Sequence, residues 1–109
     1  MNYRFKYSYF DLGDRHAGER VLVSLRGSPA NVLLLDHDNF VRYRGGRRFS
    51  HLGGLSRRSP VELEVPHDGH WYVAMDLGGR RGSCRGAVKV LPDNGSESEL
   101  EIQATEAVA

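Results

Sequence analysis

The stretch Val65 to Gly79, reading Val-Pro-His-Asp-Gly-His-Trp-Tyr-Val-Ala-Met-Asp-Leu-Gly-Gly, constrains the fold more than any other part of this chain. Pro66, Asp68 and Gly69 are turn formers, Trp71 to Leu77 is apolar at nearly every position, and Gly78-Gly79 lets the backbone reverse. A run this short suits a strand better than a helix, and one this continuous has no face to give to water. It predicts a strand covered on both sides, at the centre of an all-β sandwich or small, partly open barrel.

The rest of the chain is punctuated in the same way. Arg4 to Phe10 alternates, with Phe5, Tyr7 and Tyr9 on one side and Arg4, Lys6 and Ser8 on the other, and Arg20 to Arg26 places Val21, Val23 and Leu25 on one face. Asn31 to Asp36 is a second two-sided apolar run. Helical chemistry is confined to Asp38 to Gly45, where Asp38 can cap, Phe40 and Tyr43 share a face, and Gly45 can take the left-handed C′ position. Arg47 to Leu52 reads as a weak strand. Val61 to Val65 alternates with Glu62 and Glu64 toward water, and the tight His67 to His70 connection predicts an antiparallel hairpin with the Trp71 strand. Gly86 to Leu91 closes the core with Val88 and Val90. About seven strands with one short helical turn near residues 38–45 predict a single-domain antiparallel β-sandwich, jelly-roll-like or a partly open barrel, over residues 1–92.

At 109 residues the chain is large enough for one core and too small for two. It has no apolar run near the roughly 18 residues that a membrane span needs, and residues 1–6 enter strand alternation without a signal-peptide core. The single Cys84 fits a reducing compartment, so a cytoplasmic location is expected. The net charge of +1 conceals an asymmetry: all fifteen Lys and Arg precede Pro92 against nine acids there, leaving the body at +6, and the other five acids follow. Residues 93–109 are therefore read as an acidic, flexible tail, able to fold back over the basic surface or simply inert. Thirteen of the fifteen basic residues are Arg, whose planar fork suits carboxylate and phosphate. An Arg-rich solvated surface gives the same count, so composition alone names no ligand.

The series Val32-Leu33-Leu34-Leu35-Asp36, Asn39-Phe40, Tyr43-Arg44-Gly45-Gly46, Gly53-Gly54, Ser59-Pro60-Val61, Val65-Pro66, Gly69-His70-Trp71 and Asp76-Leu77-Gly78-Gly79 resembles the bacterial family known as domain of unknown function 1883. The resemblance covers about residues 3–91. It implies a small all-β fold with no assigned activity, found alone or joined to Toll/interleukin-receptor-like signalling domains. That company implies a recognition module rather than an enzyme.

Chemical candidates are few. His67-x-x-His70 with Asp68 between them has a metal-like spacing, and Asp36-His37-Asp38 offers further ligands, but a zinc site needs three or four converging groups and a polar turn explains His67 and His70 as well. No metal and no cofactor is expected. Cys84 stands near Arg81 and Arg85, which could lower its pKa, yet no spacing supports a nucleophile and its base. An enzyme would require His37, His67 or His70 to converge with Asp36, Asp68 or Asp76 in a cleft. Nucleic acid is disfavoured, because Tyr43, Phe49 and Trp71 fall at positions suited to packing and the pI of 8.0 is below the value of about 9 typical of such domains.

Two segments remain. Tyr43-Arg44-Gly45-Gly46-Arg47-Arg48 and Gly78-Gly79-Arg80-Arg81-Gly82-Ser83 each join exposed backbone N–H groups to paired guanidinium groups, as an anion would need, although neither is a P-loop. Exposed turns with solvated Arg account for them equally. Arg44, Arg47, Arg48, Arg80 and Arg81 are thus candidates for a site that takes a small anionic ligand or a protein partner, provided that both loops meet at one end of the sandwich. The first strand, rich in aromatics, is a candidate sheet edge through which the chain could form a homodimer.

Overall fold

A computed structural model describes residues 6–92 and 100–108. Nine strands and one helix follow in the order β1 (Lys6–Arg15), β2 (Arg20–Gly27), β3 (Ala30–Asp36), α1 (His37–Arg44), β4 (Leu52–Ser56), β5 (Val61–Glu64), β6 (Gly69–Asp76), β7 (Cys84–Leu91), β8 (Leu100–Ile102) and β9 (Ala104–Val108). They form a five-stranded sheet in the order β4-β3-β6-β1-β9 and a four-stranded sheet in the order β5-β2-β7-β8, with antiparallel pairing throughout. The expected all-β sandwich is the architecture observed. Among the described residues no helix is long and apolar enough to cross a membrane.

The two continuous apolar runs occupy the middle of the larger sheet, and their alternation explains why neither shows a polar face. Trp71, Val73 and Met75 of β6, with Val32 and Leu34 of β3, point between the sheets to meet Phe10, Val21, Val23, Val88 and Val90. Tyr72, Ala74, Leu33 and Leu35 point the other way and are covered by Phe40 and Tyr43 of α1. The helix is the third layer that a strand with two apolar faces requires.

Several expectations change in detail. The first strand runs on to Arg15, and a bulge between Asp11 and Gly13 allows Leu12 to join Phe10 in the core while Tyr7 faces α1. That strand lies between β6 and β9, so the edge expected to mediate a homodimer is already paired within the chain. The helix is capped by Asp36, not Asp38: its Oδ1 accepts from the Asn39 backbone N–H at 3.0 Å. At the other end Gly45 has φ −86° and Gly46 has φ +70°. Arg47 N–H donates to the Arg42 carbonyl at 2.8 Å and Gly46 N–H to the Tyr43 carbonyl at 3.2 Å, the Schellman pattern with Gly46 as its left-handed residue. The weak strand expected at Arg47 to Leu52 lies further on, at Leu52–Ser56.

The predicted hairpin between β5 and β6 does not form. Strand β5 pairs with β2 in the smaller sheet, whereas β6 pairs with β1 and β3 in the larger. The burial of each strand gives the reason. β5 keeps Glu62 and Glu64 exposed and fits a sheet whose outer face is wet, but β6 needs the helix-covered sheet. The chain therefore crosses between layers at Val65 to Asp68, where Val65 N–H donates to the Glu19 carbonyl at 2.9 Å. Residues 100–108, read as part of a flexible tail, add one strand to each sheet: β8 beside β7 and β9 beside β1. The preceding residues 93–99 lie outside the described residues.

Candidate functional site

The end of β6 is organised around one carboxylate. Asp76 Oδ1 accepts from Asn31 Nδ2 at 2.7 Å and from Gly78 N–H at 2.8 Å, and its Oδ2 accepts from the Tyr43 hydroxyl at 2.6 Å. Asp76 thus ties β3, α1 and the β6–β7 loop to a single point. Burial and the neighbouring Asp76 charge push the Tyr43 pKa far above the ordinary tyrosine value, so Tyr43 remains a protonated donor. Gly78 and Gly79 follow with φ +62° and +80°, a left-handed pair that turns the loop back toward the helix.

This turn brings the two Gly-Arg segments together. A cavity of about 840 Å³ is lined by Gly46, Arg47, Phe49 and His51 from the α1–β4 connection and by Gly78, Gly79 and Arg80 from the β6–β7 loop. Lys6 at the start of β1 reaches the same cavity, and Leu33, Asn31, Tyr43 and Asp76 complete the wall. Among the described residues the arginine ion pairs are Arg15 with Glu19 and Arg20 with Glu62, and Lys6, Arg47 and Arg80 belong to none. Three cations without a carboxylate partner therefore border one space.

The five candidate arginines separate. Arg47 and Arg80 line the cavity, whereas Arg48 and Arg81 are exposed and do not. Arg44 turns to the other side of the helix, its guanidinium carbon 5.3 Å from the centre of the Phe40 ring and 5.8 Å from that of Tyr9. Lys6 was not among the candidates, because strand alternation assigned it to the solvent side of β1 and nothing local links it to residues 47 and 80. The apolar Phe49 carries a signal that the sequence did offer, an aromatic immediately after the Arg47-Arg48 pair.

A smaller cavity of about 550 Å³ opens beside the first and shares Lys6, Asp76 and Leu77 with it. Tyr7, Ala30, Met75 and Cys84 line it, together with Glu106 of β9. Burial raises the pKa of the Cys84 thiol, opposite to the lowering expected from nearby Arg81 and Arg85. The thiol is thus poorly suited to nucleophilic work.

The histidine and aspartate candidates are dispersed. His67 packs against Trp71 with ring centres 4.9 Å apart, its Nδ1 3.0 Å from the Asp68 carbonyl oxygen, while His70 Nε2 lies 2.6 Å from Asp11 Oδ1. His37 Nδ1 is 3.2 Å from the Tyr72 hydroxyl, and its ring centre is 6.0 Å from that of His70. The three acids proposed as their partners act elsewhere. Asp36 caps α1, Asp76 holds Tyr43 and Asn31, and Asp68 accepts the Ala17 N–H at 2.9 Å beside His16. That backbone bond, followed by His16 and His67, lowers the Asp68 pKa. Among the described residues no three His, Cys, Asp or Glu side chains converge as metal ligands.

No curated protein and no solved structure matches the chain. Residues 5–94 match the model described as Domain of unknown function (DUF1883), and the chain belongs to that family.

Proposed function

We propose that this protein is a non-enzymatic recognition module that binds a small anionic ligand in the cavity between the α1–β4 connection and the β6–β7 loop. The observation that carries this reading is the convergence of Lys6, Arg47 and Arg80, from three separate elements, on one cavity without ion-pair partners among the described residues. Two forked guanidinium groups suit an oxyanion, and Lys6 adds a point charge. The end of α1 would oppose an anion if its carbonyls were bare, but the N–H groups of Gly45, Gly46 and Arg47 cap those of Val41, Tyr43 and Arg42. Asp76, the acid at the wall, is held by three donors and brings Asn31 and Tyr43 into position. The lone thiol Cys84 supports a reducing, cytoplasmic setting.

Thermal shift and titration calorimetry with phosphate, pyrophosphate and dicarboxylates test the proposal. The expected result is stabilisation that weakens from low to moderate salt. Arg47→Ala and Arg80→Ala should each reduce it, and Arg48→Ala and Arg81→Ala should leave it near the parent value. Absence of stabilisation by every anion at low salt would overturn the reading.

A further inference from the structure

Resting on that reading of the cavity, we infer that its ligand is a nucleoside phosphate, with phosphates held by Lys6, Arg47 and Arg80 and the base laid against Phe49 and His51. Size is the first reason. A cavity of about 840 Å³ falls within the range of sites for whole organic ligands, and a lone inorganic anion would leave its apolar wall wet. Ring chemistry is the second. Phe49 is half-buried at the wall, set edge-to-face against buried Tyr43 at 5.2 Å and 86°, with the exposed His51 ring 5.5 Å away and tilted by 44°. An aromatic pair lining a cationic cavity offers a stacking surface for a planar ring.

Charge separates this ligand from other aromatic anions. Three cations that no carboxylate pairs among the described residues exceed what one carboxylate needs, and match a group such as a diphosphate that carries two or three negative charges. A sugar phosphate satisfies the cations but makes no use of Phe49. A polyphosphate chain likewise ignores the rings.

Calorimetric titration of the full chain with ADP, ribose 5-phosphate and pyrophosphate decides the matter. ADP should bind about tenfold more tightly than either fragment, the margin that one stacked base supplies. Phe49→Leu should remove that margin while leaving pyrophosphate affinity within about twofold, and His51→Ala, at an exposed position, should narrow it in the same direction. Arg47→Ala and Arg80→Ala should weaken both ADP and pyrophosphate. Equal affinity for ADP and pyrophosphate, unchanged in Phe49→Leu and His51→Ala, would overturn the nucleoside assignment and leave the anion site standing. Binding of none of the three would sink both.

Discussion

At the scale of single residues, the Tyr43–Asp76 contact joins stability to the candidate site. A hydrogen bond to a charged acceptor contributes about 1.5 to 3 kcal/mol, and Asp76 keeps its bonds to Asn31 and Gly78 when the phenol is lost. Tyr43→Phe should therefore lower unfolding free energy by about 2 kcal/mol in a urea titration without unfolding the protein. The pH dependence has a definite sign. The folded-state pKa of Tyr43 is raised, so below pH about 10 the phenol is neutral in both states and contributes no slope. Above that the unfolded chain gives up the proton while the folded one retains it, and stability falls as pH rises. The fall should be shallower in Tyr43→Phe. It should not vanish, because burial also raises the pKa of Tyr72. None of this was legible in the sequence: Asp76 ended an apolar strand and stood as a possible partner for a histidine, whereas its actual partners Asn31 and Tyr43 are brought to it by the β3–β6 pairing and the helix above.

At the scale of elements, alternation told which strands have one wet face and which have none, but not which strands pair. Short spacing suggested a β5–β6 hairpin. Layer chemistry prevails over spacing here, since Glu62 and Glu64 suit the open face of the smaller sheet while Tyr72 and Ala74 require the cover of α1. Gly45 was legible as a helix end and Gly78-Gly79 as a reversal, yet the individual duties of Gly46 and of Gly53 inside β4 were not. Gly46 holds the left-handed position that closes α1, and Gly53 at φ +86° brings β4 so near to β3 that an added Cβ would lie 2.3 Å from the Val32 carbonyl oxygen. Gly46→Ala should cost about 1 kcal/mol, the penalty of a left-handed non-glycine residue in open space. Gly53→Ala should cost more, because conformational strain and backbone collision add there. Denaturant midpoints of the two variants, compared with Gly54→Ala, whose Cβ meets nothing within 4 Å, give the ranking.

At the scale of the whole molecule, residues 100–108 of the acidic C-terminal segment belong to the sandwich. Its polar composition concealed this: Ile102 packs against the core from a three-residue strand, and so short a strand carries almost no periodic signal. The asymmetry between basic body and acidic end was legible, and the pairing gives it a purpose: Glu101 stands opposite Lys89, and Glu106 of β9 lines the smaller cavity with Lys6. Two consequences can be separated by experiment. Deleting residues 100–109 uncovers β1 along the flank now paired with β9 and β7 along the flank paired with β8, leaving unpaired N–H and C=O groups that invite a second copy. The shortened chain should melt at lower temperature and, in light scattering after gel filtration, associate as concentration rises. Glu106→Gln keeps β9 and removes only its charge at the wall of the smaller cavity that Lys6 also lines, so it should leave the parent's association state unchanged and tighten pyrophosphate binding at low salt by roughly two- to fivefold, the scale of one partly screened charge interaction. Unchanged affinity in Glu106→Gln would mean that the Glu106 charge does not reach the anion site across the wall that Lys6 shares between the two cavities.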